Sequence, residues 1–331
     1  MDLDMDNLEN VLKDYQLDLK MIEEKHGVYK VSAKEGMFAL KKINRSKRNQ
    51  RIFETNYFYL AHKGFKNIVP IYRTKQNQAT VTTEHFFYYL MPWVKYEKVG
   101  SKDYYKSFMS DLAEMHAAAM DETFSQTELQ SAYQRLENHL KKRKEILESY
   151  ARMAEKRVYM SPFDYEFMDL FPYFIQAVDR SLYYQHQWYK NAKEKSHYRR
   201  AVCHGKLSSN HYCFSNNNRF FISVDHLTFD HPVKDLARAV HSILKIDSFK
   251  EEDIEGLLPI YQKKIPLFED EKELLKAYLI YPKHVFQVVD LYYQAKRDIS
   301  EYLVIKSFKR STKIFNKHEA FVNKMNESEH I

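Results

Sequence analysis

From about residue 100 onward the chain reads as helix, and one short stretch breaks that pattern. Tyr212-Cys213-Phe214 and Phe220-Phe221-Ile222-Ser223-Val224 flank Ser215-Asn216-Asn217-Asn218. Two apolar, β-prone runs around an asparagine-rich turn predict a hairpin. The segment Cys203-His204-Gly205-Lys206-Leu207-Ser208-Ser209-Asn210-His211 leads into it, and Val224-Asp225 leaves it. A fold containing this chain must therefore place one polar, histidine-rich loop and one isolated aspartate on either side of a hairpin inside a helical body. Around it, Phe108, Leu112, Met115 and His116 share one helix face. Leu129, Tyr133, Leu136 and Leu140 share another, in a charged helix running to about Lys156. Phe167, Phe171, Phe174 and Val178 mark a third, and Leu236, Val240, Ile243 and Leu244 a fourth that starts at Pro232.

The first 91 residues have a different texture. Leu8, Val11, Leu12 and Tyr15 recur at helical spacing. Strand-like runs follow at Gly27–Ala33 and Met37–Ile43, joined by the turn-prone Lys34-Glu35-Gly36. A helix carries Phe53, Tyr57, Leu60 and Ala61 on one side, Ile68–Tyr72 reads as a short strand entry, and Thr80–Thr83 with Phe86–Met91 reads as a hairpin. Pro92-Trp93 ends the pattern. The expected class is α+β and bilobal: a β-rich lobe over 1–91, then a helical lobe over 92–331 that carries the loop and hairpin at 203–225. Leu90–Val94, with Met91 and Trp93, is expected to be the hinge.

Composition removes several alternatives. All six glycines are isolated, so neither a Walker A loop nor a dinucleotide fingerprint can be built. The formal charge of +7 is spread among interleaved acids and bases, which reads as solvated faces and not as a nucleic-acid footprint. No apolar run approaches the roughly 20 residues of a membrane helix. The opening Met1-Asp2-Leu3-Asp4-Met5-Asp6 is acidic, unlike a secretory signal. Two cysteines, Cys203 and Cys213, do not make a disulfide framework.

Phosphoryl transfer from a nucleotide needs a phosphate-binding lysine oriented by a glutamate, a carboxylate that takes the acceptor proton, and an asparagine and aspartate for magnesium. Lys41, on a predicted strand, is the candidate lysine, with Glu54 on the next helix as its partner. Asp225, at the end of a predicted strand, is the candidate metal ligand. Asp235, near the start of the helix after Pro232, reads as a structural anchor or cap. His204 is expected to scaffold the loop. The proton-acceptor position falls on Lys206. A lysine ordinarily titrates at about 10.4, so at neutral pH it donates and does not accept. An adjacent carboxylate would hold it protonated, and the expectation is that Lys206 pairs with Asp225 and closes the cleft by an internal ion pair.

At Phe38-Ala39-Leu40-Lys41, Met91-Pro92-Trp93, Leu112-Ala113-Glu114-Met115-His116, the His204 loop, Val224-Asp225 and Asp235-Leu236-Ala237, the chain resembles the aminoglycoside phosphotransferase and choline kinase superfamily. Within it the chain is similar to the bacterial spore-coat branch of the CotS and YsxE type. The resemblance implies a protein-kinase-like fold and the loop pattern His-Gly-Asp-x-x-x-x-Asn. His204 and Gly205 match that pattern, Lys206 replaces the aspartate, and the asparagine position falls on His211. Lys41, Glu54, Met91, Trp93 and Asp225 would then line a nucleotide site. The resemblance implies a catalytically impaired, kinase-like coat component of an endospore, made in the mother-cell cytoplasm and assembled with other spore coat proteins. No cofactor is expected. The alternative is an active kinase that uses ATP and magnesium to phosphorylate a hydroxyl group.

Overall fold

The computed structural model describes residues 8–25, 27–249, 251–294 and 299–328; the acidic opening Met1–Asp6 lies outside them. The chain forms two compact units. One holds 1–119 with 202–230, the other 120–201 with 231–331. The helix at 101–118 and the hairpin thus group with the sheet.

The first unit is built on a five-stranded antiparallel sheet ordered β1-β2-β3-β5-β4. Its strands are β1 (Leu19–Lys25), β2 (Val28–Ala33), β3 (Gly36–Asn44), β4 (Val81–Thr82) and β5 (Phe86–Pro92). Side chains alternate across a strand, so each face collects every second residue. Val31, Phe38, Leu40, Tyr88 and Leu90 pack with Leu8, Val11, Leu12 and Tyr15 of the short helix α1 (residues 8–12) and its exit turn. The opposite face meets α2 (Lys47–His62), where Phe53 packs on Phe87 and Tyr89 at ring separations of 6.0 and 5.2 Å. With both faces covered, β5 is buried along almost its whole length. A reciprocal cap between Ser46 and Asn49 starts α2. The strand entry expected at Ile68–Tyr72 is reduced to two isolated bridges, Ile68 to Phe221 and Tyr72 to Leu90.

The helix α3 (Ser101–Ala118) buries Phe108, Leu112, Met115 and His116. The strand β6 (Ala201–Cys203) precedes the hairpin formed by β7 (Tyr212–Ser215) and β8 (Asn218–Phe221). Asn216 and Asn217 turn it with φ of 50° and 59°. Two left-handed residues in a row match the twist of the strands they join, which explains the asparagine run. Asp225 does not end a strand. It sits in a 3-10 turn, Val224–His226, entered through the left-handed Ser223. A short strand, β9 (Thr228–Asp230), then pairs with β6.

The second unit is helical: α4 (Gln126–Glu155), α5 (Pro162–Glu194), α6 (Val233–Leu244), α7 (Glu251–Gln262), α8 (Glu269–Ile280), α9 (Lys283–Tyr293) and α10 (Glu301–Ser328). Phe167, Phe174 and Val178 of α5 are buried as their spacing predicts. Asp235 is fully buried in α6 and accepts from Arg238 at 2.8 Å. A second buried pair holds this unit. Arg199 grips Glu271 with two bonds, Nε to Oε1 at 2.6 Å and Nη2 to Oε2 at 2.5 Å. Burial pushes the Glu271 carboxyl up, and the Arg199 charge only partly opposes it. Breaking such a pair leaves one charge buried alone, which costs about 3–5 kcal/mol. Arg199→Met is expected to lower the urea midpoint of the second unit, read by Trp188 fluorescence. Adding Glu271→Leu should recover much of that loss. A double variant no more stable than the single one would refute the assignment.

Candidate functional site

The candidate residues of the first unit gather around Asp225. Lys41 on β3 and Tyr89 on β5 are cross-strand partners and share the face that meets α2. Both reach the same oxygen. The Lys41 ammonium donates to Asp225 Oδ1, and the Tyr89 hydroxyl donates to it at 2.9 Å. His226 Nε2 lies 3.3 Å from the other oxygen, Oδ2. The Asp225 side chain is 2% exposed and that of Lys41 15%. Burial alone would raise the Asp225 carboxyl, but the Lys41 charge and the bonds from Lys41 and Tyr89 outweigh it and hold the group below the usual carboxylate range. Complete burial first, and then the nearby Asp225 charge, drive the Tyr89 hydroxyl well above the ordinary phenol.

The turn that carries Asp225 is clamped to the His204 loop. Gly205 has φ of +78°, and a Cβ there would lie 2.0 Å from the His226 carbonyl oxygen. Only glycine fits this approach. His204, fully buried, donates from Nε2 to the Ile222 carbonyl at 2.8 Å. The hairpin is pinned from α3. The single hydroxyl hydrogen of Tyr104 is shared between the Ser209 and Tyr212 carbonyls, 2.6 and 2.5 Å away, and Tyr212 donates to the buried Asp111 at 2.6 Å. Arg219 completes this anchor, 3.1 Å from Asp111. On the other side, α2 contributes Asn56, whose amide donates to the Leu227 carbonyl at 3.2 Å.

Two expected pairings are replaced. The cation on Asp225 is Lys41 and not Lys206. Lys206 is exposed, and its backbone carbonyl accepts from His211 Nδ1 at 2.7 Å. Glu54 does not hold Lys41 among the described residues. Its Oε1 accepts from Thr80 at 2.5 Å and from Gln50 at 3.2 Å. Met91 is buried on the Lys41 side of β5, and the Trp93 amide donates to the Met37 carbonyl at 3.0 Å with Lys30 over its ring. Asp235 belongs to the second unit. Sequence reasoning missed Tyr89 and the anchor that Tyr104, Tyr212 and Asp111 form. Only the strand register that pairs Tyr89 with Lys41 could have pointed to the first.

His211 stands where the pattern calls for an asparagine. A carbonyl can only accept, so its Nδ1 carries the proton and Nε2 keeps a lone pair. Burial lowers its titration point, and the Lys41 and Lys206 charges add to that, so the ring is neutral at neutral pH.

Removing Lys41 should reverse the sign of the shift at Asp225. In the wild-type protein the carboxyl is depressed, so its stabilising share is present above the ordinary value and lost as pH falls below that value and through the depressed folded one. In Lys41→Met burial dominates, and the midpoint should move above the ordinary carboxylate value. A 13C titration of the Asp225 carboxyl reads both, and an unchanged midpoint would exclude Lys41 as the controlling charge. Gly205→Ala should destabilise the first unit by at least the roughly 1–3 kcal/mol of a left-handed backbone, with the clash against His226 added. A thermal melt within 1 °C of wild type would exclude this clamp.

Among the described residues no helix is long and apolar enough to cross a membrane. The fold is that of aminoglycoside phosphotransferases. An aminoglycoside phosphotransferase from Alicyclobacillus acidocaldarius superposes with a TM-score of 0.81 at 15% identity, covering 98% of this chain and 96% of that one. The AMP-bound spectinomycin phosphotransferase APH(9)-Ia gives 0.64 at 14% identity, covering 94% and 98%. The choline kinase LicA from Streptococcus pneumoniae gives 0.54 at 12% identity, covering 96% and 99%. In sequence, the chain is 23% identical over 189 residues to the endospore coat-associated protein YutH of Bacillus subtilis (strain 168). That match spans 55% of each chain, so about half the length of the relative is covered. Residues 8–325 match the family described as "Spore coat putative kinase YutH". The match is thus to YutH within the spore-coat, kinase-like class, and the chain belongs to that family.

Proposed function

We propose that this protein is a kinase-like component of the bacterial endospore coat whose phosphotransfer chemistry is impaired, and that it acts by binding other coat proteins. It would be made in the mother-cell cytoplasm and then join the coat. Family membership and the coat-associated relative support the location. The carrying observation for the chemistry is the Asp225 carboxylate, whose Oδ1 is already taken by Lys41 and Tyr89.

Magnesium takes an octahedron of oxygen donors at about 2.0–2.1 Å. This loop offers one carboxylate, occupied by an ammonium, and an imidazole in place of the amide oxygen. The proton-acceptor position holds an exposed ammonium, Lys206, which has no lone pair to offer. Such a donor set fits magnesium and a nucleotide poorly, and no transfer step is derived from it. What these residues do achieve is neutralisation: Lys41 balances Asp225 inside the first unit, as a metal ion would in an active relative.

One observation favours the second reading, an active kinase for a small hydroxyl substrate. Neutral His211 has a bare Nε2 that could accept a proton. The two readings separate experimentally. Ligand stabilisation amounts to about 2.7 kcal/mol at a hundred times the dissociation constant. The impaired reading predicts no melting shift at millimolar ATP with magnesium, and no phosphorylated product from a panel of amino sugars and amino alcohols. It also predicts that fluorescently tagged Asp225→Asn still reaches the coat of sporulating cells. Product formation abolished by His211→Ala would establish the kinase instead.

A further inference from the structure

The second unit carries a histidine cluster that the kinase-like reading does not use. His241 of α6, His284 of α9 and His318 of α10 converge on a recess that opens to solvent and is lined also by Tyr281, Lys283 and Ser311. The bonding assigns the protons. His318 Nδ1 is 3.2 Å from the Leu279 carbonyl, which can only accept, so its Nε2 is bare. That Nε2 lies 3.2 Å from His241 Nδ1, which must therefore carry the hydrogen and leave His241 Nε2 bare. His284 stacks flat on His241 at 3.7 Å and 11°, with its Nδ1 3.1 Å from Gln287 Oε1.

The charged surroundings are one-sided. Lys245 and Arg238 flank His241 on α6, and Lys283 precedes His284 on α9. Nearby Asp235 is bonded to Arg238. Asp290, beside Tyr281, is bonded to Arg143. On α10, Lys317 is spent on the Leu244, Ile246 and Phe249 carbonyls, and Lys313 faces Asp247 at 3.7 Å. Among the described residues neither Lys245 nor Lys283 has a carboxylate partner. The first turn of α9 has no acidic residue and no side-chain cap. A metal ion fits badly here, because the cations repel it and the stacked His284 ring does not converge with the other two.

We propose that this recess binds a single tetrahedral oxyanion of the phosphate or sulfate class, held by Lys283 and taken up together with a proton on His284 or His241. Burial, first, and then the neighbouring positive charges hold His241 down at about 2 and His284 at about 4. An anion in the recess opposes those positive charges and raises both. Binding therefore takes up protons, and affinity rises as pH falls, by up to about tenfold per pH unit for each proton.

Sodium sulfate is the first probe, because its charge is constant between about pH 5 and 8. The full chain, labelled with 13C-histidine, is titrated in sulfate and in chloride of matched ionic strength. The His284 midpoint should rise in sulfate from about 4 to about 6.5 or above, and sulfate should then bind about tenfold more tightly at pH 5.5 than at 7.5. Lys283→Ala, at an exposed position, should remove the difference without unfolding the chain. His284→Gln should bind sulfate without the pH dependence if His241 is not the proton site. A wild-type midpoint that is the same in both salts overturns the proposal, as does an equal sulfate effect in Lys283→Ala. Inorganic phosphate and O-phosphoserine then separate the sources. Equal binding of both assigns the site to a phosphorylated side chain, and exclusion of phosphoserine assigns it to the free anion.

Discussion

A carboxylate taken out of water must be met by charge, and Asp225 is the point where the first unit meets that demand. Moving an ion into a protein interior costs several kcal/mol unless its partners are well placed. Here they come from two adjacent strands. Lys41 on β3 and Tyr89 on β5 face each other across the sheet, so the register that builds the sheet also delivers two donors to one oxygen. The α2 helix covers the same face, and Asn56 ties it to the chain just after Asp225. Sheet, helix and turn are thus held by one electrostatic requirement.

The loop before the hairpin obeys a steric requirement in addition. Gly205 lies against the His226 carbonyl, and Ser223 takes a left-handed conformation to bring Val224–His226 round. His204 and Tyr104 satisfy the carbonyls that this tight path exposes. Backbone polar groups in a buried loop must find partners, and here side chains from the loop itself and from α3 supply them.

Much of the architecture was legible in the chain. The strand-like runs at Gly27–Ala33 and Phe86–Met91, the asparagine turn at 216–217 and the faces carried by Phe108 and Phe167 are local signals, and the structure contains each of them. Local signals failed where a side chain is chosen by a distant partner. Lys206 and Asp225 both carry charge in neighbouring loops, yet strand register awards Asp225 to Lys41, 184 residues away in sequence. Glu54 has the spacing of a lysine partner, but Thr80 is nearer to its carboxylate. The 3-10 turn at Asp225 reads as strand because Ile222 and Val224 are β-prone, and only the left-handed Ser223 prevents it.

Gly205 carries a wider consequence. Its neighbours forbid any side chain, so selection for a folded chain suffices to retain it, whatever becomes of turnover. His204 is kept on the same ground, by the bond it gives to Ile222. Half of a signature that searches treat as a mark of enzymes is here a mark of packing. The pair by itself therefore carries no information about turnover in this chain.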